Sequence, residues 1–113
     1  MSSREKSRAP SKAAIEAMIE EASVDAYGEA EQAMGWQYVL DENLGLPFTT
    51  KVLGMEVGVE RIELRDDNTI VAICTRGRER QAIALLDLPL PKPPPAGWEW
   101  IAAYRSFSRG ARS

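Results

Sequence analysis

The chain has 113 residues, with 14 Lys and Arg against 17 Asp and Glu, one Cys and no His, for a formal charge of −3. That length suits a single domain with a real core and is too short for two comfortable ones. The absence of histidine excludes a Ser–His dyad and any imidazole metal site, the lone Cys74 excludes an internal disulfide, and 44% apolar against 27% charged residues is globular rather than disordered.

The charge is unevenly spread. Arg4, Lys6, Arg8 and Lys12 make the start basic, and Arg105, Arg109 and Arg112 do the same for the end. Between Ala13 and Thr50 the only charges are Glu16, Glu20, Glu21, Asp25, Glu29, Glu31, Asp41 and Glu42. Residues 1–10 are expected to be a disordered basic tail, because they hold nothing that can be buried. They lack an apolar signal core, and no run approaches the ~20 apolar residues of a membrane span, so a cytoplasmic protein is expected.

Ser11, after Pro10, is placed to cap a first helix over Ser11–Ser23, whose Ile15, Met18, Ile19 and Ala22 share one face. Asp25 is expected to cap a second helix, with a bend between Val24 and Gly28, because Gly costs roughly 1 kcal/mol of helix propensity. From Ala26 onward, Ala30, Ala33, Trp36, Leu40 and Leu44 form one broad face, with Tyr27, Met34 and Tyr38 at least a quarter-turn away. A helix apolar on two sides is expected to be wedged between other elements. Gly45 ends it, and Leu46-Pro47 forces an extended exit.

The apolar period then drops to two. Strands are predicted over Phe48–Leu53, Glu56–Leu64, Thr69–Cys74 and Arg80–Leu86, joined by turns at Gly54-Met55, Asp66-Asp67-Asn68 and Arg76-Gly77-Arg78. In the second strand the apolar positions switch from Val57 and Val59 to Ile62 and Leu64, which predicts a β-bulge near Glu60-Arg61. Pro89, Pro91, Pro93, Pro94 and Pro95 impose an extended spacer. Trp98, Trp100, Ile101, Tyr104 and Phe107 are spaced for a short terminal helix, with fraying over 108–113. The expected fold is α+β: one domain over residues 11–107, a helix pair packed on a four-stranded antiparallel meander or half-barrel, and a C-terminal helix.

A one-sign carboxylate segment offers oxygen ligands to a hard cation, and Ca²⁺ tolerates irregular all-oxygen coordination best. No EF-hand loop is present, so a site must be assembled from separate pieces. On a straight helix Asp25 and Glu29 share a side, whereas Glu31 and Glu42 are about 16 Å apart. Two clusters are therefore the candidates: Asp25 and Glu29 with Glu31, and Asp41 and Glu42 with Asn43. The second has the stronger physical case. Carboxylates in the last turn of a helix face its negative dipole end and unpaired carbonyls, an arrangement unfavourable by roughly 0.3–1 kcal/mol each until a cation reverses the sign. The plain alternative is an acidic face kept for solubility.

The run VDAYGEAEQAMGWQYVLDENLGLPF resembles the signature of the small CcbP-type bacterial calcium-binding family, with V-D-A-Y, an acidic patch, A-M-G-W, an acidic pair before Asn-Leu, and Pro-Phe. The resemblance implies a compact protein of helices and strands that buffers or sequesters Ca²⁺ through clustered carboxylates. It points to Asp25, Glu29 and Glu31 in the first patch and Asp41 and Glu42 in the second. Two departures are visible: the pair reads Asp-Glu rather than Glu-Asp, and Gly28, Ala30 and Gln32 stand where more acidic relatives carry charge.

Other features have ordinary readings. Asp66-Asp67-Asn68 suits a hairpin turn, and Cys74 lies in the apolar run Ile70–Cys74 as a small buried hydrophobe. Arg76, Arg78 and Arg80 make a basic turn, but Glu79 and the acidic helices argue against nucleic acid. Without histidine a general base would have to be a carboxylate, and none is singled out, so an enzyme is not expected. The reading is a non-catalytic calcium buffer or sensor. Its alternative is a small protein-interaction module whose acids serve only solubility.

Overall fold

The computed structural model describes residues 9–112. Of the basic tail expected over 1–10, all but Ala9 and Pro10 lies outside the described residues. Ser11 caps helix α1 (Lys12–Ser23), its Oγ accepting the Ala14 N–H at 3.1 Å, a bond worth about 1 kcal/mol at a helix start. The helix ends where Ser23 Oγ turns back to donate to the Ile19 carbonyl at 2.6 Å. Asp25 then adopts a left-handed conformation, φ 59°, which a short polar side chain tolerates.

Helix α2 spans Glu29–Asn43 and its cap residue is Gly28, not Asp25. The expected bend is present, but Gly28 pushes the helix start past itself because glycine inside a helix is costly. Having no side chain, Gly28 cannot cap. Glu31 compensates in part: its Oε1 accepts the Tyr27 N–H at 2.9 Å, much as a capping-box glutamate reaches back from the first turn.

The sheet is an antiparallel meander in the order β1-β2-β3-β4, with β1 Phe48–Val52, β2 Met55–Leu64, β3 Ile70–Arg76 and β4 Glu79–Ala84. Pairing of β2 with β3 shifts between Val59 and Arg61, leaving Glu60 as the extra residue. That bulge turns Val57, Val59, Ile62 and Leu64 all toward the core despite their change of parity. Central β3 is buried from Ile70 through Cys74.

A 3-10 turn at Leu85–Asp87 leads from the sheet into the proline segment, which bends at residues 92–93 rather than running straight. Thr50 Oγ1 ties that segment to β1 by donating to the Pro89 carbonyl at 2.6 Å. Helix α3, Trp98–Arg112, continues past Phe107 and packs on α2 through an aromatic cluster. Trp36, fully buried, meets Trp100 edge-on at 6.4 Å between ring centres, Tyr104 at 5.3 Å and Phe107 at 5.4 Å. Gly35, one residue earlier, is where α1 crosses: a Cβ there would run into the Ala22 carbonyl.

One expectation about α2 is overturned. Its buried residues are Ala33, Trp36, Val39 and Leu40, while Ala30 is exposed and Tyr27, Met34 and Tyr38 are 87%, 57% and 62% exposed. The helix is covered on one side only. Helices α1 and α3 and strand β2 all pack against the buried half of the helix, and the second apolar stripe faces solvent.

Candidate metal centre

At 100° per residue, Glu29 and Glu31 stand 200° apart around α2, whereas Glu29 lies within about 20° of Trp36, seven residues on. The first acidic patch is therefore split. Glu29 faces the aromatic side of the helix, Glu31 caps the loop from the outer side, and Asp25 sits exposed in that loop.

At the other end Asp41, Glu42 and Asn43 are all exposed. Asn43 Nδ2 donates to the Val39 carbonyl at 2.8 Å, which leaves its Oδ1 free. The last turn contains no basic residue. Leu44 N–H bonds the Leu40 carbonyl, but Gly45 N–H is taken by Ala96 O at 2.7 Å, so the Asp41 and Glu42 carbonyls receive no backbone donor. Asp41 and Glu42, about 100° apart, thus stand beside bare carbonyls at the negative end of a helix dipole, while Asn43 projects about 200° away from Asp41. Among the described residues, however, no three Asp, Glu or Cys side chains stand close enough to hold a metal. The six expected residues do not form one preformed cage.

Glu29 shares a cleft with oxygen-bearing side chains from other parts of the chain. It lines a cleft of about 230 Å³ together with Gln32 and Trp36 of α2, Asp67 and Asn68 of the β2–β3 turn and Ser108 of α3. The turn is tightly built. Asn68 N–H bonds Arg65 O at 2.9 Å, Arg65 N–H bonds Thr69 O at 2.9 Å, and Thr69 N–H bonds Asp67 Oδ1 at 3.1 Å. Hydrogen bonds from the Thr69 side chain and backbone, with help from Arg65, hold the Asp67 carboxyl below its ordinary range. The sequence reading of these residues as a turn is correct but incomplete, since only the folded chain brings them opposite Glu29.

One residue that lines this cleft carries an unanswered polar group just beneath its wall. The Trp36 indole N–H is buried and has no hydrogen-bond partner, a rarity that calls for an explanation. A larger cleft, about 530 Å³ beside β1 and the prolines, is flanked by Lys51 and Lys92 with Glu56 against them, a poor host for a cation. Cys74 is buried, and burial pushes its thiol up, which disfavours the thiolate that a soft metal or a nucleophilic step requires.

The family model for CcbP, described as calcium binding, matches residues 16–104. The chain belongs to the CcbP calcium-binding family. The matched span contains every expected ligand and also Asp67 and Asn68. The chain is similar to the crystal structure of Anabaena CcbP, at 24% identity over 86% of this chain and 90% of that one, with a TM-score of 0.64. It is also similar to a calcium-binding protein solved in its calcium-binding form, at 24% identity over 97% and 98% of the two chains, with a TM-score of 0.67. At that identity the likeness bears on the CcbP fold. No curated protein matches the chain. Among the described residues, no helix is long and apolar enough to cross a membrane.

Proposed function

We propose that this CcbP member captures Ca²⁺ at the two ends of α2 and serves as a calcium buffer or sensor without catalysis. The observation that carries the residue assignment is the last turn of α2, where Asp41 and Glu42 join unbonded carbonyls and no basic residue of that turn offsets them. Ca²⁺ takes six to eight oxygens at about 2.3–2.6 Å in flexible geometry. Exposed carboxylates that need only swing inward suit such an ion better than Mg²⁺, which demands near-octahedral ligands. The all-oxygen donor set fits calcium, and with neither histidine nor an accessible thiolate it disfavours softer metals.

Binding to the folded state alone stabilises it by about 2.7 kcal/mol at a hundredfold excess over the dissociation constant. For a domain of this size that is a rise in melting temperature on the order of 10 °C. Melting in excess Ca²⁺ should therefore exceed melting in chelator by that margin, and Asp41→Asn with Glu42→Gln should shrink the gap. Identical melts in both conditions would reject the proposal.

The exposed stripe of Tyr27, Met34 and Tyr38 favours a second reading, a docking face for a protein partner. On that reading alone, partner binding survives the same two substitutions.

A further inference from the structure

We propose that Asp67 and Asn68 of the β2–β3 turn complete, with Glu29, the calcium locus at the start of α2, and that the buried indole of Trp36 reports its occupancy. The inference rests on the calcium-binding reading and extends it to residues outside the acidic block.

Three observations converge on the cleft. Its two carboxylates come from different elements, Glu29 from α2 and Asp67 from the turn between β2 and β3. Asp67 is held at the rim by its hydrogen bond from Thr69 N–H, while Gln32, Asn68 and Ser108 add neutral oxygens around the same space. The third observation is the orphan donor of Trp36. An N–H cannot ligate a cation, so the occupant must combine positive charge for the carboxylates with a lone pair for the indole. A hydrated divalent cation does both, because Ca²⁺ commonly retains water among its ligands. The N–H lies sealed beneath the cleft wall, so a small shift of the aromatic wall on binding lets water carried in with the ion accept from Trp36 and relieves the desolvation cost of the unmet donor, about 1–3 kcal/mol.

The placement also has a mechanical consequence. Glu29 belongs to the helical layer and Asp67 to the sheet, so an ion held by both ties the two layers together at the edge of the aromatic cluster. Tyr104 and Phe107 line the same cleft and touch Trp36, which places the indole in the environment that occupancy changes.

The test is calorimetric titration of the full chain with Ca²⁺, paired with tryptophan emission, for wild type, Glu29→Gln, Asp67→Asn, the Glu29→Gln/Asp67→Asn double variant and Asp41→Asn/Glu42→Gln. Asparagine at position 67 still accepts from Thr69 N–H, so the turn is retained, and melting in chelator checks this. The expected result is that Glu29→Gln and Asp67→Asn each weaken the same binding step by about tenfold or more, and that the double variant is weakened by less than the product of the two. Asp41→Asn/Glu42→Gln leaves that step in place. The calcium-induced change in emission is lost with Asp67→Asn and kept with Asp41→Asn/Glu42→Gln. Should Asp67→Asn unfold, Asn68→Gly removes a neutral ligand while keeping the left-handed backbone at φ 67°, and it is expected to weaken the same step. Wild-type heats in Asp67→Asn, with binding lost only in Asp41→Asn/Glu42→Gln, would overturn this inference and leave the calcium reading standing. No calcium heat from the wild-type protein would overturn both.

Discussion

Trp36 stands where α2, α3 and the sheet meet, and its surroundings set the chemistry of its neighbours. Tyr104 packs on it half-buried, and burial raises the phenol above its ordinary range, outweighing contacts with Ser108 and the Ile70 backbone. Cys74 is raised for the same reason. A group whose folded-state value is raised contributes stability that is complete below its unfolded value and is lost as pH climbs through the folded one. The wild type should therefore lose stability first as the thiol titrates and again above about pH 10, where an unfolded phenol ionises. Tyr104→Phe is expected to flatten the later part of that alkaline limb and leave the earlier part intact. Urea midpoints measured across pH 8 to 11 check this, and a limb unchanged in the variant would show that Tyr104 does not titrate differently on folding.

The elements themselves were readable where one local rule acted alone. Ser11 after Pro10 marks a helix start whatever packs on it, and the switch of apolar parity around Glu60 marks a bulge because only one sheet face meets the helices. Local rules failed at α2. Asp25 is as good a cap as Ser11 by type, but the cost of Gly28 within a helix decides where the helix begins, and a periodicity count cannot say which of two apolar faces will find a partner. Loop 95–97 is another case, since its role is visible only in three dimensions. Gly97 has φ 82°, and a Cβ there would strike the Asn43 carbonyl, whereas Gly54 has φ 80° with open space around it. Both alanine variants pay the left-handed penalty of roughly 1–2 kcal/mol. Gly97→Ala should lose clearly more than Gly54→Ala, because the loop must also back away from the end of α2. Chemical denaturation in chelator compares them, and equal losses would mean that the loop does not press on the helix.

Over the whole molecule, the acidic block between basic ends announced a cation ligand but not its geometry. Charge along the chain is one-dimensional, whereas a site depends on which side of a helix each acid occupies. Glu29 and Glu31 are two residues apart and face nearly opposite ways, and the partner of Glu29 lies in a turn whose composition is fully explained by being a turn. The two proposed loci occupy opposite ends of a 15-residue helix, so they lie about 20 Å apart, well beyond the ~8 Å screening length at physiological ionic strength. They share no side chain. Coupling between them is therefore expected to be small, and the losses in calcium-dependent stabilisation from Asp67→Asn and from Asp41→Asn/Glu42→Gln should add to within about 0.5 kcal/mol. Melting the combined variant in excess Ca²⁺ and in chelator measures the sum. A combined loss well short of additive would mean that the two ends of α2 serve a single binding event, with the helix transmitting order from one to the other rather than merely separating them.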